Sequence, residues 1–349
     1  MPRLAALAFA GLVLAAHAFD AVTPGRALEF PRDRGAHPGH RLEWWYVTGH
    51  LATARGAMGF QVTFFRVRNA DAESMPGRFA PRQILFAHAA LADPGAGRFH
   101  HDQRVARALE PLAEARVGET GVRIDDWSFE REGAAYHARV PADDFALDLE
   151  LTPTQDVLPE GDHGFSRKGP ATGQASYYYS EPHLAVRGTV RVAGAAVDAR
   201  GVAWLDHEWS SELLAPGAVG WDWLGANLDE GGALMAFRIR AADGRVLWSS
   251  ATWRPRGGPA RSFAPADVEF IPLRRWRSPA SGTEYPVSMA VRVGDRRFRL
   301  EPLMDDQELD ARATTGTLYW EGAVRIEGSD GTRGRGYLEL TGYAGALGF

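Results

Sequence analysis

Runs in which every second residue is apolar recur along this chain and leave it little choice but β-structure. Phe145, Leu147, Leu149 and Leu151 alternate with Ala146, Asp148 and Glu150, and the same period of two governs Met235, Phe237 and Ile239 and then Val287, Met289, Val291 and Val293. Neighbouring side chains on a strand point to opposite faces, so such a run buries one face and wets the other. Turn signals separate the runs at short intervals: Pro94-Gly95, Gly194-Ala195, Asp243-Gly244, Gly294-Asp295 and Asp330-Gly331, several of them suited to tight hairpins. Sustained helical periods are nearly absent. Arg107 to Ala115 is the best short stretch, and Pro111 interrupts it. The expected fold class is all-β.

An internal similarity organises these strands. WWYVTGHL (Trp44 to Leu51) matches WDWLGANL (Trp221 to Leu228) position for position in aromatic and small-residue character, and past a short gap Ala57 to Val62 lies over Leu234 to Ile239. Each half then begins with an aromatic strand, a turn and an alternating strand. A chain of 349 residues, 45% of them hydrophobic, is long enough for two such units. We expect two similar antiparallel barrels in tandem, residues 30–212 and 213–349. Barrels of about eight strands fill their interior with side chains or hold one small ligand, at the mouth or at a domain junction.

Met1 to Ala18 carries one early Arg3, the apolar run LAALAFAGLVLAA and then Ala16-His17-Ala18, the pattern of a cleaved secretory signal ending before Phe19. The run is short of the roughly 20 residues a spanning helix needs. A periplasmic or secreted location is therefore expected. There is no cysteine, so neither disulfides, nor a lipid-anchoring cysteine, nor a thiolate metal site can contribute. A net charge of -5 without a long basic run argues against a nucleic-acid partner. The expected ligand is a small, largely uncharged, hydrophobic molecule, and membrane contact through an apolar barrel rim stays open.

Chemistry is concentrated in Ala203 to Leu228, where Trp204, Trp209, Trp221 and Trp223 stand beside Asp206, His207, Glu208 and Asp222. Tryptophan brings an apolar face, an indole donor and a quadrupole that can face a cation. Trp and His also close barrel ends without touching a ligand, so a structural reading stands beside the functional one. On a strand, Asp206 and Glu208 share a face opposite His207, and Trp221 and Trp223 share one opposite Asp222. A second aromatic cluster, Tyr177-Tyr178-Tyr179, cannot point all its rings one way. There is no G-x-S-x-G elbow, P-loop or dinucleotide-binding glycine pattern. His207-Glu208-Trp209-Ser210-Ser211 has serine where a zincin needs its second histidine, and no metal or cofactor is expected.

Glu43-Trp44-Trp45-Tyr46-Val47-Thr48-Gly49-His50-Leu51, Tyr177-Tyr178-Tyr179-Ser180, Leu205-Asp206-His207-Glu208-Trp209-Ser210-Ser211 and Gly220-Trp221-Asp222-Trp223 resemble the AttH and carotenoid 1,2-hydratase family over nearly the whole mature chain. The resemblance implies two lipocalin-like barrels in tandem. Activities in the wider family include cofactor-free addition of water to acyclic carotenoids and pericyclic ring formation, and some exported members are encoded near ABC-type export machinery, whose components become possible partners. Carried over, the hydratase site implies His207, Trp209 and Asp222 as catalytic residues, with Gly220 standing where hydratases have a tyrosine near the acid. Trp44, Trp45, Tyr46, Tyr178, Trp204, Asp206, Glu208, Trp221 and Trp223 are the expected ligand-binding residues.

Hydration of an isolated alkene needs a proton donor, a briefly held carbocation and a placed water. A carboxylic acid can donate near neutrality only where burial among apolar groups raises its pKa. Asp222 is the expected donor, Trp209 the ring that faces the cation and His207 the group that places water, with Asp206 and Glu208 as reserve acids. Two classes fit these expectations: a cofactor-free hydro-lyase acting on an isoprenoid or other apolar substrate, and a non-catalytic exported carrier of a hydrophobic ligand.

Overall fold

The computed structural model describes residues 19–212 and 214–347, so the secretory signal expected over 1–18 lies outside the described residues. The described chain is nearly all strand; its only helical turns are three short 3-10 segments, Arg32–Arg34, Ala70–Ala72 and Pro265–Asp267. The one stretch with a hint of helical period is not helical. The strand Arg98–Arg107 ends there, and a short strand, Ala113–Ala115, follows Pro111.

The strands form two antiparallel sheets, thirteen strands between Leu42 and Glu212 and ten between Ala218 and Leu340. They curl into tandem barrels, one nearly closed and the other a half-barrel. Each sheet wraps its own core: Val47, Phe60, Phe64, Leu147 and Leu149 belong to the first, and Leu224, Val287, Met289 and Val291 to the second. These are the inward positions of the alternating runs, which is the physical reason the period of two is so regular.

The two sheets open along related strands. Leu42–Thr53 pairs with the next strand, Gly56–Arg68, and with the last strand of its sheet, Ala195–Glu212. Ala218–Leu228 does the same with Ala233–Ala241 and with Arg333–Leu340. The first block of the internal repeat therefore holds in three dimensions. The second block is out of register by three residues, because Gly49 faces Phe60 whereas its equivalent, Ala226, faces Leu234. The first hairpin is the longer of the two, and an odd shift exchanges faces. Phe60 thus belongs to the first core, while Phe237 points to the junction between the sheets.

The two sheets meet face to face through these repeat strands. The packing is reciprocal: His50 Nε2 lies 2.9 Å from the Gly336 carbonyl, and Asn227, the residue equivalent to His50, donates to the Ala203 carbonyl at 3.0 Å. Gly59 permits the close approach, since a Cβ there would stand 2.4 Å from the Ala323 Cβ. A third apolar cluster, including Tyr46, Tyr178, Trp204, Trp223 and Phe237, fills the junction.

Candidate functional site

Cross-strand register builds the site. Trp44 lies opposite Glu208 and Tyr46 opposite Asp206, while on the other side of that strand Tyr178 lies opposite Glu208 and Ser180 opposite Asp206. In the second sheet one row runs Phe237, Trp223, Glu339, Glu321. Directly opposed residues in antiparallel strands share a face, so each sheet presents an aromatic and acidic row to the junction. Between them lies an open-mouthed cavity of about 70 Å³, with Trp44, Tyr46, Phe65, Trp221, Trp223 and Phe237 as walls. Four acids, Asp206, Glu208, Glu321 and Glu339, open into it together with one base, Lys168.

Asp206 is the most elaborately held of these acids. Its Oδ2 accepts from the Tyr178 hydroxyl at 2.7 Å, and its Oδ1 accepts from Trp204 Nε1 and from the Ser180 hydroxyl, both at 2.6 Å. Tyr178 in turn accepts from Trp223 Nε1 at 3.0 Å, so the chain of bonds crosses from one sheet to the other. Burial pushes the Asp206 carboxyl up to about 7; the three donors pull it down, and neighbouring Glu208 pushes it up. Behind it, Glu160 is 2.9 Å from the Ser180 hydroxyl and is raised to about 8, chiefly by burial. One hydroxyl hydrogen cannot serve two carboxylates, so contacts at both distances require a proton on Glu160 or on Asp206.

The facing sheet repeats the theme. Glu321 and Glu339 lie directly opposite one another, Glu321 buried and Glu339 half-buried. Burial first, and then each other's charge for Glu321, hold both above the ordinary carboxylate range. Glu321 accepts from the Tyr46 hydroxyl at 2.6 Å, and Glu339 from Trp221 Nε1 at 2.9 Å. The pocket therefore carries neutral carboxylic acids on aromatic walls near pH 7. Glu208 forms an ion pair with Lys168 at 2.8 Å, and the ammonium sits 4.1 Å from the Phe237 ring centroid and 4.7 Å from that of Tyr178.

Of the residues singled out in the sequence, Trp44, Tyr46, Asp206, Glu208, Trp221 and Trp223 line this pocket. Tyr178 and Trp204 stand just behind it, bonded to Asp206. The three residues expected to be catalytic, and Trp45, do not line this pocket. His207 is on the opposite face from Asp206 and Glu208, inside the first barrel. There its Nε2 donates to Glu43 at 2.9 Å, its Nδ1 accepts from the Tyr179 hydroxyl at 3.2 Å, and its ring stacks on Trp45. Trp209 stacks on His37 with centroids 3.8 Å apart. Asp222 faces the interior of the second sheet, where Arg238 donates at 2.6 Å, Arg240 at 3.0 Å and the Tyr343 hydroxyl at 3.0 Å. The reason is the period of two.

His37, Glu43 and His207 bring ligand-type atoms within 4.8 Å of one another. Glu43 is already satisfied there: Arg66 Nε donates at 2.7 Å and His37 Nδ1 at 2.7 Å, and the guanidinium opposes a further cation. This is a structural network. His207→Ala is expected to leave Glu43 short of a partner and to lower the unfolding free energy by about 3 kcal/mol. Urea unfolding checks the loss, and retained dye binding in the pocket checks that the site is separate.

Lys168, Glu160, Ser180, Glu321 and Glu339 were not legible as site residues. Lys168 carried a signal nonetheless, as the only lysine among 39 lysines and arginines. Glu339 carried a weaker one: it shares with Tyr337 the face of its strand opposite Leu338 and Leu340, an acid on an aromatic face.

A family model described as AttH-like matches residues 21–343. The crystal structure of a protein assigned as an AttH from Nitrosomonas europaea superposes with a TM-score of 0.87 at 51% sequence identity, covering 93% of this chain and 100% of that one. Kievitone hydratase from Nectria haematococca superposes with a TM-score of 0.70 at 15% identity, covering 95% of this chain and 97% of that one, a likeness of fold. No protein among those with curated functions matches this sequence.

Proposed function

This chain belongs to the AttH-like family, and from that premise we propose that the pocket between its lipocalin-like barrels binds a small hydrophobic molecule and adds water across one of its double bonds without a cofactor. One observation carries this reading: an aromatic cavity lined by acids whose burial raises them toward neutrality, Asp206 to about 7. An acid with a pKa near the working pH combines availability of the proton with the strength to give it up.

In the proposed reaction Asp206 gives its proton to the less substituted alkene carbon, and the π pair forms the new C–H bond. The resulting cation lies among ring faces such as Trp44 and Trp223, which stabilise it by about 2 kcal/mol when water is excluded. Water adds to the cation and loses a proton to the Asp206 carboxylate, which restores the acid. The Tyr178, Ser180 and Trp204 donors hold that carboxylate while it exists. An isoprenoid or lipid chain fits walls of this kind. The leader expected over residues 1–18 supports a periplasmic or secreted site of action.

The test is mass spectrometry of apolar extracts from the protein purified out of its native cell envelope, beside Asp206→Asn. We expect a hydrated ligand on the wild type and the same ligand lighter by one water on the variant. Identical unaltered ligand on both would leave a carrier in place of a hydratase.

A further inference from the structure

We propose that Lys168 forms an imine with a carbonyl group of the pocket's ligand, so that the site takes hydrophobic aldehydes or ketones. The inference rests on the pocket reading above and goes beyond it by naming the ligand's functional group.

The argument begins with which cation this chain uses where. At its other buried ion pairs it uses arginine: Arg66 on Glu43, and Arg238 and Arg240 on Asp222. In the pocket alone it uses its single lysine. A position needing only positive charge is served by arginine throughout the rest of the fold. A guanidinium stays protonated and cannot condense with a carbonyl, whereas a lysine amine can.

The surroundings suit that chemistry. Lys168 is 5% exposed and follows the short strand Phe165–Arg167, where its backbone N–H donates to Gln174 at 2.7 Å and fixes the start of the side chain. Its ammonium makes no side-chain hydrogen bond to a described residue. The 2.8 Å contact to Glu208 is an ion pair, and Glu208 Oε1 has no hydrogen-bond partner. The nitrogen is thus held by one carboxylate contact and two ring faces, and no other side chain of a described residue bonds its remaining N–H groups. Within the same cavity stand a carboxylate to take a proton, Glu208, and a carboxylic acid to give one, Asp206.

The step balances with these groups. Lys168 passes one ammonium proton to Glu208, and its lone pair bonds to the carbonyl carbon. The carbonyl π pair moves to oxygen, which takes the Asp206 proton; the attacking nitrogen then returns one to Asp206, leaving a neutral carbinolamine. Glu208 protonates the hydroxyl, which leaves as water as the nitrogen pair forms the C=N bond. One water has been released, the iminium carries the original positive charge, and both acids end as they began. With an α,β-unsaturated carbonyl, this iminium would also draw electrons from the double bond and prepare it for water.

The probe is 2-naphthaldehyde with sodium cyanoborohydride at pH 7, applied to the full chain and read by intact mass and peptide mapping. The α-amino group is the chain's other primary amine and acts as an internal reference. An ordinary lysine has roughly 300-fold less free amine than an α-amino group at this pH. We expect Lys168 to be labelled at least as fast as the α-amine in the folded protein and to lose that advantage in urea, and we expect Lys168→Arg to be labelled at the α-amine alone. Labelling of Lys168 a hundredfold slower than the α-amine, or none, overturns the proposal. Nile red binding, measured in parallel through quenching of the pocket tryptophans, separates the two failures: a pocket that takes up the dye without trapping the aldehyde overturns the imine alone, and a pocket that takes up neither overturns the binding reading as well.

Discussion

Asparagine in place of Asp206 is expected to lower turnover of the pocket's alkene ligand by about 10²- to 10⁴-fold, the range for loss of a general acid. Binding is expected to stay within a few-fold, because the amide fills the same volume and still offers an oxygen to the Tyr178 hydroxyl at the position now 2.7 Å away. The split matters more than the size. A loss of kcat at nearly constant KM identifies an interaction made only in the transition state. The pH profile of kcat/KM supplies the sign: the donor must be protonated, so activity should be flat at low pH and fall as pH rises through about 7. Steady-state rates on the extracted ligand across pH 5–9 check both. Loss of binding in place of turnover would make Asp206 a scaffold residue.

The second large effect concerns stability. Asp206 at about 7, Glu160 at about 8, and Glu321 and Glu339 above their ordinary range are all carboxyls raised by burial. The folded chain therefore binds more protons than the unfolded chain between their unfolded and folded values. Stability from these groups is full below about pH 4 and is lost as pH rises through their folded values. Buried histidines act the other way. His50 and His40, each lowered to about 4, and His88, lowered to about 3, all by desolvation first, cost stability as pH falls below about 6.5. Above that the carboxyls act without this opposition, and unfolding free energy should fall by roughly 3–5 kcal/mol from pH 6.5 to 9. Glu321→Gln keeps an acceptor for the Tyr46 hydroxyl and removes one of these groups. It should raise stability by roughly 2 kcal/mol at pH 9 and leave it little changed at pH 5. Denaturant melts at the two pH values decide it, and an equal effect at both would show that Glu321 is ionised throughout.

The fold was largely legible because a single rule, alternation, governs it. The same rule divides the candidate site residues between two faces. Asp206 and Glu208 share a face opposite His207, and Trp221 and Trp223 share one opposite Asp222, a division visible in the sequence and borne out by the pocket. Family likeness had pointed to His207, Trp209 and Asp222, which lie on the barrel-interior faces. What strand periodicity lacks is the sheet-to-sheet pairing. Nothing local brings Glu321 and Glu339, more than a hundred residues downstream, to the cavity that holds Asp206; the reciprocal packing of the repeat strands does so. Glu160 was equally hidden, a loop acid whose importance comes from Ser180 on a different strand. Even the repeat misled by three residues, because hairpin length is set by turn geometry and leaves no trace in side-chain character.

Neutral acids in an apolar pocket are the feature from which the chemistry follows, so the protonation states themselves are the measurement to make. Protein labelled with ¹³C at Asp and Glu side-chain carboxyls can be titrated by NMR, wild type beside Asp206→Asn. A carboxyl that titrates near pH 7 in the wild type and is missing from the variant, with other carboxyls still protonated at that pH, is the expected result. Carboxyls that all titrate below about pH 5, the ordinary range, would contradict it and leave the pocket without a proton donor.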